Sequence, residues 1–115
     1  MTQISVHPKL QRHLVMFVTS RIDRWIEIQQ TLSALNMQTT FCNSIYEAEI
    51  IARQDLPHLI ISEANLSDGN VFELYKRLTT HTTLAKIPVA VYLTQSSKAE
   101  VSKLLTQGFT HIFPP

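Results

Sequence analysis

Few side chains in this sequence could do chemistry together, and those that could fall at the ends of short apolar runs. Glu63 closes the run beginning at Leu59, Thr19 and Ser20 close Leu14 to Val18, and Thr94 closes Val89 to Leu93. One carboxylate and three hydroxyls at such positions could serve as polar contacts for a small molecule or nucleotide. Other chemistries find less support. His7, His13, His58, His81 and His111 form no His-x-x-x-His or Cys/His cluster, so no metal centre is expected. Only 2 glycines exclude a glycine-rich phosphate cradle, and no nucleophile elbow supports hydrolysis, so no cofactor is expected either. Asp68, beside Gly69, reads as a turn residue, and Asp23 as a helix cap or a solvated charge. Cys42 is single and lies in an apolar stretch, where a thiol acts as a small core residue.

The elements that must hold these groups alternate. Leu14 to Val18 is a continuous apolar run, the mark of a strand buried on both faces. Ile22, Trp25, Ile28, Leu32 and Leu35 recur at helical spacing, predicting a helix over 21–35 that Ser20 and Asp23 can cap and Asn36 can end. Gln38 to Cys42 predicts a second strand. Ser44 and Glu47 form a capping box for a helix burying Ile45, Ala48, Ile51 and Ala52. Leu59 to Ile61 predicts the central strand, and a polar loop follows. Asn70 and Glu73 then cap a helix carrying Val71, Leu74, Tyr75 and Leu78. Residues 79–86 read as a polar loop, Val89 to Thr94 as a fourth strand, Ser97 and Glu100 as a third capping box, Gly108 as a C-cap, and Thr110 to Phe113 as a fifth strand. Residues 1–12 carry Ile4, Val6 and Leu10 among polar residues and read as an arm preceding a domain over 13–115.

This alternation predicts an α/β domain: a flavodoxin-like, doubly wound, five-stranded parallel sheet in the order 2-1-3-4-5, sandwiched in three layers. At 115 residues there is room for one core. A net charge of +1 with no dense Lys/Arg run gives no nucleic-acid footprint. The longest apolar run is far too short for a membrane span, and residues 1–12 lack a signal-peptide core, so a cytoplasmic protein is expected.

From about residue 13 onward the chain resembles the receiver domain of bacterial response regulators. Leu14 to Ser20 is similar to the first strand and its acidic tip, and Pro57 to Leu74 to the central strand, loop and third helix. Ile87-Pro88-Val89 through Thr94 resembles the fourth strand with its switch hydroxyl, and Gly108 to Pro115 the fifth strand with its Lys-Pro ending. The resemblance implies phosphotransfer to an aspartate at the central strand tip, with Mg²⁺ held by a nearby acidic pair and a lysine facing the phosphoryl group. Here the acidic pair matches Thr19 and Ser20, the acceptor matches Glu63, one methylene longer than Asp, and the lysine falls on Pro114 or Pro115. Of the reactive set only the hydroxyl of Thr94 matches.

Two roles for Glu63 follow. Its fixed carboxylate could imitate a phosphorylated aspartate, or it could be a partly solvated loop-entry residue; weak coupling of an isolated exposed charge favours the second. The resemblance further implies a fifth helix beside the first, which would come after Pro115; without it, part of one sheet face needs other cover. The arm, a second copy or another protein could supply that cover, so a homo-oligomer or part of a larger chain is expected. The family's signalling surface maps onto Tyr92, Lys98, Lys103, Gln107, His111 and Phe113. The expected function is a phosphorylation-independent, non-enzymatic protein-binding module in bacterial signal transduction. The alternatives are a flavodoxin-like domain binding a small molecule or nucleotide, or a receiver phosphorylated at an unusual acceptor such as Asp68.

Overall fold

A computed structural model describes residues 13–93 and 97–114. The expected arm, Thr94 and Pro115 lie outside the described residues. The main sheet contains β1 (Leu14–Val18), β2 (Gln38–Cys42), β3 (Leu59–Glu63), β6 (Val89–Tyr92) and β7 (Ile112–Phe113). All pairs are parallel, in the order β2-β1-β3-β6-β7, which is the expected topology. A two-stranded antiparallel hairpin, β4 (Asn65–Leu66) and β5 (Gly69–Asn70), stands where a plain loop was expected.

Helices α2 (Ile45–Asp55), α3 (Val71–Thr79) and α4 (Lys98–Thr106) start where their capping residues predict. Ser44 accepts from the Glu47 N–H, Asn70 from Glu73 and Ser97 from Glu100, so each helix has one of its orphan donors satisfied by a side chain. Gly108, at φ +97°, closes α4 with Phe109 N–H donating to Leu104 and its own N–H to Leu105, the paired bonds of a left-handed C-terminal stop. The predicted 79–86 loop contains a 3₁₀ turn, Leu84–Lys86, because Leu84 is buried under α3.

The predicted helix over 21–35 is divided: a 3₁₀ turn at Ile22–Trp25 runs into α1 (Ile26–Ala34). No side chain caps either piece, so the expected Ser20 and Asp23 caps are not formed. Instead the Arg21 N–H donates to Thr19 Oγ1, and Asp23 pairs with Arg21 on the surface. Asn36 does end the helix, at φ +65°.

The two sheet faces are unequally covered. Met16, Val18, Cys42, Ile60, Val89 and Val91 face α2, α3 and α4 across the main core. On the other face, Val15 and Phe17 pack with Trp25, flanked by Phe41, Leu59, Ile61, Leu32 and Tyr92. Phe41, Phe17, Trp25 and Tyr92 form a continuous row of rings across that face, with centroids 5.1, 4.9 and 4.9 Å apart, each a favourable aromatic contact. Among the described residues α1 is the only α-helix on this face, and none of its residues is fully buried. Of the predicted buried stripe only Trp25 is buried; Ile22, Ile28 and Leu35 are exposed, because among the described residues no second helix packs beside them.

Candidate functional site

Strand alternation puts Leu59, Ile61 and Glu63 of β3, and Val15 and Phe17 of β1 with Thr19 just beyond it, on the α1 face, Glu63 and Thr19 lying at the carboxyl end of the sheet. Glu63 lies beside Tyr92 in the sheet register, and Tyr92 is in turn packed edge-on by Trp25 and overlaid by the Arg24 guanidinium at 5.4 Å. The carboxylate is therefore enclosed: Glu63 is 4% exposed and Thr19 1%. Thr19 Oγ1 donates to Glu63 Oε2 while accepting from the Arg21 N–H, so one hydroxyl joins the central strand to the residue that opens the 3₁₀ turn leading into α1. Glu63 is thus a buried, hydrogen-bonded acceptor, and the partly solvated role expected for it is corrected. The signal for this was the period-two spacing Leu59, Ile61, Glu63, which places the carboxylate on an apolar face.

Ser20 is exposed. Thr94, the expected switch hydroxyl, lies outside the described residues. Among the described residues no three of His, Cys, Asp and Glu converge on a point that could hold a metal ion. A groove lined by Ala64, Asn65, Asn70, Phe72, Ser97, Glu100 and Lys103 passes the strand tip but includes neither Thr19 nor Glu63.

Asp68 has a structural task that the sequence did not disclose. From the turn of the β4–β5 hairpin its two carboxylate oxygens accept from the N–H groups of Ile45 (2.7 Å) and Tyr46 (3.2 Å), at the first turn of α2. These bonds, the Ile45 one foremost, hold its carboxyl below the usual carboxylate range. Ser67 Oγ donates to the Asn43 carbonyl at 2.7 Å beside them. Gly69 allows this approach: a Cβ there would stand 2.7 Å from Ile45 Cδ1 and 2.9 Å from Glu73 Oε1, and φ is +154°. The loop after the central strand is in this way pinned to the neighbouring loop.

The expected partner surface is divided between layers. Tyr92 and Phe113 are register partners on the α1 face, with His111 two residues earlier on the same side, whereas Lys98 and Lys103 are exposed on α4 behind the sheet. The described histidines do not gather at one point: His58 Nδ1 accepts from the Leu14 N–H and its ring meets that of His13, while His81 Nε2 lies 2.8 Å from Glu49 Oε2. Cys42 is buried, and desolvation pushes its thiol up to about 12.

No protein-family model and no curated protein sequence matches the chain. Solved structures do. A response regulator from Desulfuromonas acetoxidans is 26% identical, with a TM-score of 0.77 over 89% of this chain and 83% of that one. The non-phosphorylated HemR receiver domain from Leptospira biflexa is 19% identical, with a TM-score of 0.74 over 89% and 81%. The chemotaxis response regulator CheY4 of Vibrio cholerae is 20% identical, with a TM-score of 0.77 over 89% and 85%. The chain has the receiver fold.

Proposed function

We propose that this receiver-fold domain acts in bacterial two-component signalling by binding a protein partner in the cytoplasm, without receiving a phosphoryl group and without enzymatic activity. The observation that carries the reading is the enclosure of Glu63. A phosphoacceptor needs an accessible carboxylate and hard oxygen ligands beside it for a cation that neutralises the incoming charge. Here the carboxylate is buried against Thr19, the neighbouring tip residue Ser20 is uncharged, and Pro114 offers no cation. Asp68, the other candidate acceptor, has both oxygens engaged by backbone N–H groups of α2. The fold neighbours, which include response regulators, support the signalling context. The Thr19–Glu63 bond supports a domain held in one conformation. The partly covered α1 face, with Tyr92, His111 and Phe113, supports work as a homo-oligomer or within a larger assembly, and Lys98 and Lys103 offer a second contact region.

Amide spectra recorded with Mg²⁺ and beryllium fluoride test the reading. The expected result is no saturable shift around Glu63. Saturable shifts there that disappear in Glu63→Gln, or a phosphoryl adduct on Asp68 by mass spectrometry after treatment with a small phosphodonor, would overturn it.

A further inference from the structure

Among the described residues the outer edge of β2 is open. Gln38 donates its N–H to the His13 carbonyl and Cys42 accepts from the Thr19 N–H, so by strand alternation Gln38, Thr40 and Cys42 turn their backbone groups toward β1. Thr39 and Phe41 turn theirs outward. A trough of about 910 Å³ lies along this edge between the two helix layers; its lining includes Gln29 and Ser33 of α1, Thr39 and Thr40 of β2, and Gln54 and Asp55 of α2. Open edges are ordinarily guarded by charge, proline, a bulge or brevity. β2 has none of these: Gln-Thr-Thr-Phe-Cys is uncharged, and its five pairs with β1 run without a break. The other edge is guarded, since β7 has 2 residues and Pro114 follows it.

We propose that β2 pairs with β2 of a second copy of this chain, antiparallel about a two-fold axis at Thr40, so that two sheets become one. The backbone is arranged for it. In this register Thr39 exchanges both of its outward bonds with Phe41 of the second copy, Phe41 does the same with that copy's Thr39, and the two Thr40 residues form the close pair between them. A shift by two residues either way sets Thr39 or Phe41 against residues outside the strand. The side chains agree. Thr39 and Phe41 share the α1 face with Val15 and Phe17, their register partners, and the two-fold keeps the α1 faces of both copies on one side. Phe41, the partly exposed end of the aromatic row, then meets Thr39 of the second copy directly and its Phe41 on the diagonal. Charge permits the approach: the strand is neutral, and Asp55, the one charged residue lining the trough, lies at the Gln38 end of β2. The two-fold therefore holds its two copies at opposite ends of the seam. The inference depends neither on whether Glu63 can take a phosphoryl group nor on what meets the α1 face.

Sedimentation of the full chain, combined with residue-resolved amide exchange, tests it. The expected result is a dimer in which the Thr39 and Phe41 amides exchange about tenfold more slowly than in diluted, monomeric samples, while those of Gln38, Thr40 and Cys42 stay protected in both. Thr39→Pro removes an outward N–H and spares the ladder with β1; it should give a folded monomer. Thr40→Lys repeats the test without altering the backbone, setting two ammonium groups against each other across the axis. Thr40→Cys should form a disulfide-linked dimer on mild oxidation, because the close pair sets its Cα atoms about 4.5 Å apart, and Thr39→Cys should not. Four outcomes would overturn the proposal: a chain that stays monomeric at every concentration; slow Thr39 and Phe41 exchange that dilution leaves unchanged, which assigns the edge to the chain itself; a dimer that survives Thr40→Lys, which assigns the contact to another face; or cross-linking at Thr39 in place of Thr40, which breaks the register.

Discussion

Replacing Thr19 by valine keeps the shape of the side chain and removes the hydroxyl that, among the described residues, donates to the buried Glu63 carboxylate. Hydrogen bonds to charged groups contribute about 1.5–3 kcal/mol, and a buried acceptor left without its donor adds a desolvation cost, so Thr19→Val should destabilise the domain by about 2–3 kcal/mol. The Arg21 N–H also loses its acceptor, but water can replace that one because Arg21 is exposed. In urea, with a slope of about 1–3 kcal/mol per molar, the midpoint should fall by about 0.7–3 M with the slope unchanged. The companion Glu63→Leu removes the acceptor instead, and Thr19→Val with Glu63→Leu removes both. The double variant should be more stable than the sum of the single changes by about 1.5 kcal/mol or more, since replacing both partners leaves nothing buried and unpaired. A midpoint shift below about 0.3 M for Thr19→Val, or additivity within about 0.5 kcal/mol, would refute the idea that this bond joins β1 to β3.

Gly69→Ala should cost about 1–3 kcal/mol, read as a lower melting temperature, because its Cβ would press on Ile45 and Glu73 in a backbone conformation that alanine rarely adopts. Asp68→Asn should be less stable than the wild type at neutral pH. The folded-state carboxyl titrates below its ordinary 3.8, so its contribution is complete above that value and is lost as pH falls through the lower folded one; the gap in urea midpoint should close there. Cys42 should resist alkylation by iodoacetamide at pH 8 in the native state and react once urea unfolds the chain, as followed by mass spectrometry.

The sheet and its helices were legible because the signals were local. Leu14 to Val18 and Leu59 to Ile61 are too short and too apolar for anything but buried strands, and Ser44, Asn70 and Ser97 each announce a helix through a carboxylate three residues on. The hairpin at Asn65 to Asn70 was not legible, since it depends on Asp68 reaching an N-terminus 23 positions earlier in the chain. The setting of Glu63 was half legible. Its spacing from Leu59 and Ile61 gives the face, but its enclosure depends on Thr19, Tyr92 and Trp25, which come from three other segments. The stripe on α1 misled for the opposite reason: periodicity tells which side of a helix is apolar, and only the neighbours decide how much of it is covered.

The thin attachment of α1 sets the order in which the molecule comes apart. With Trp25 and Leu32 as its main anchors, that helix belongs to the weakly held end of the structure, so its amides should exchange with solvent deuterium through small openings while those of β1 and β3 wait for global unfolding. Whatever settles against its open flank would slow that exchange first in α1, which makes the helix a built-in reporter of occupancy on its side of the sheet.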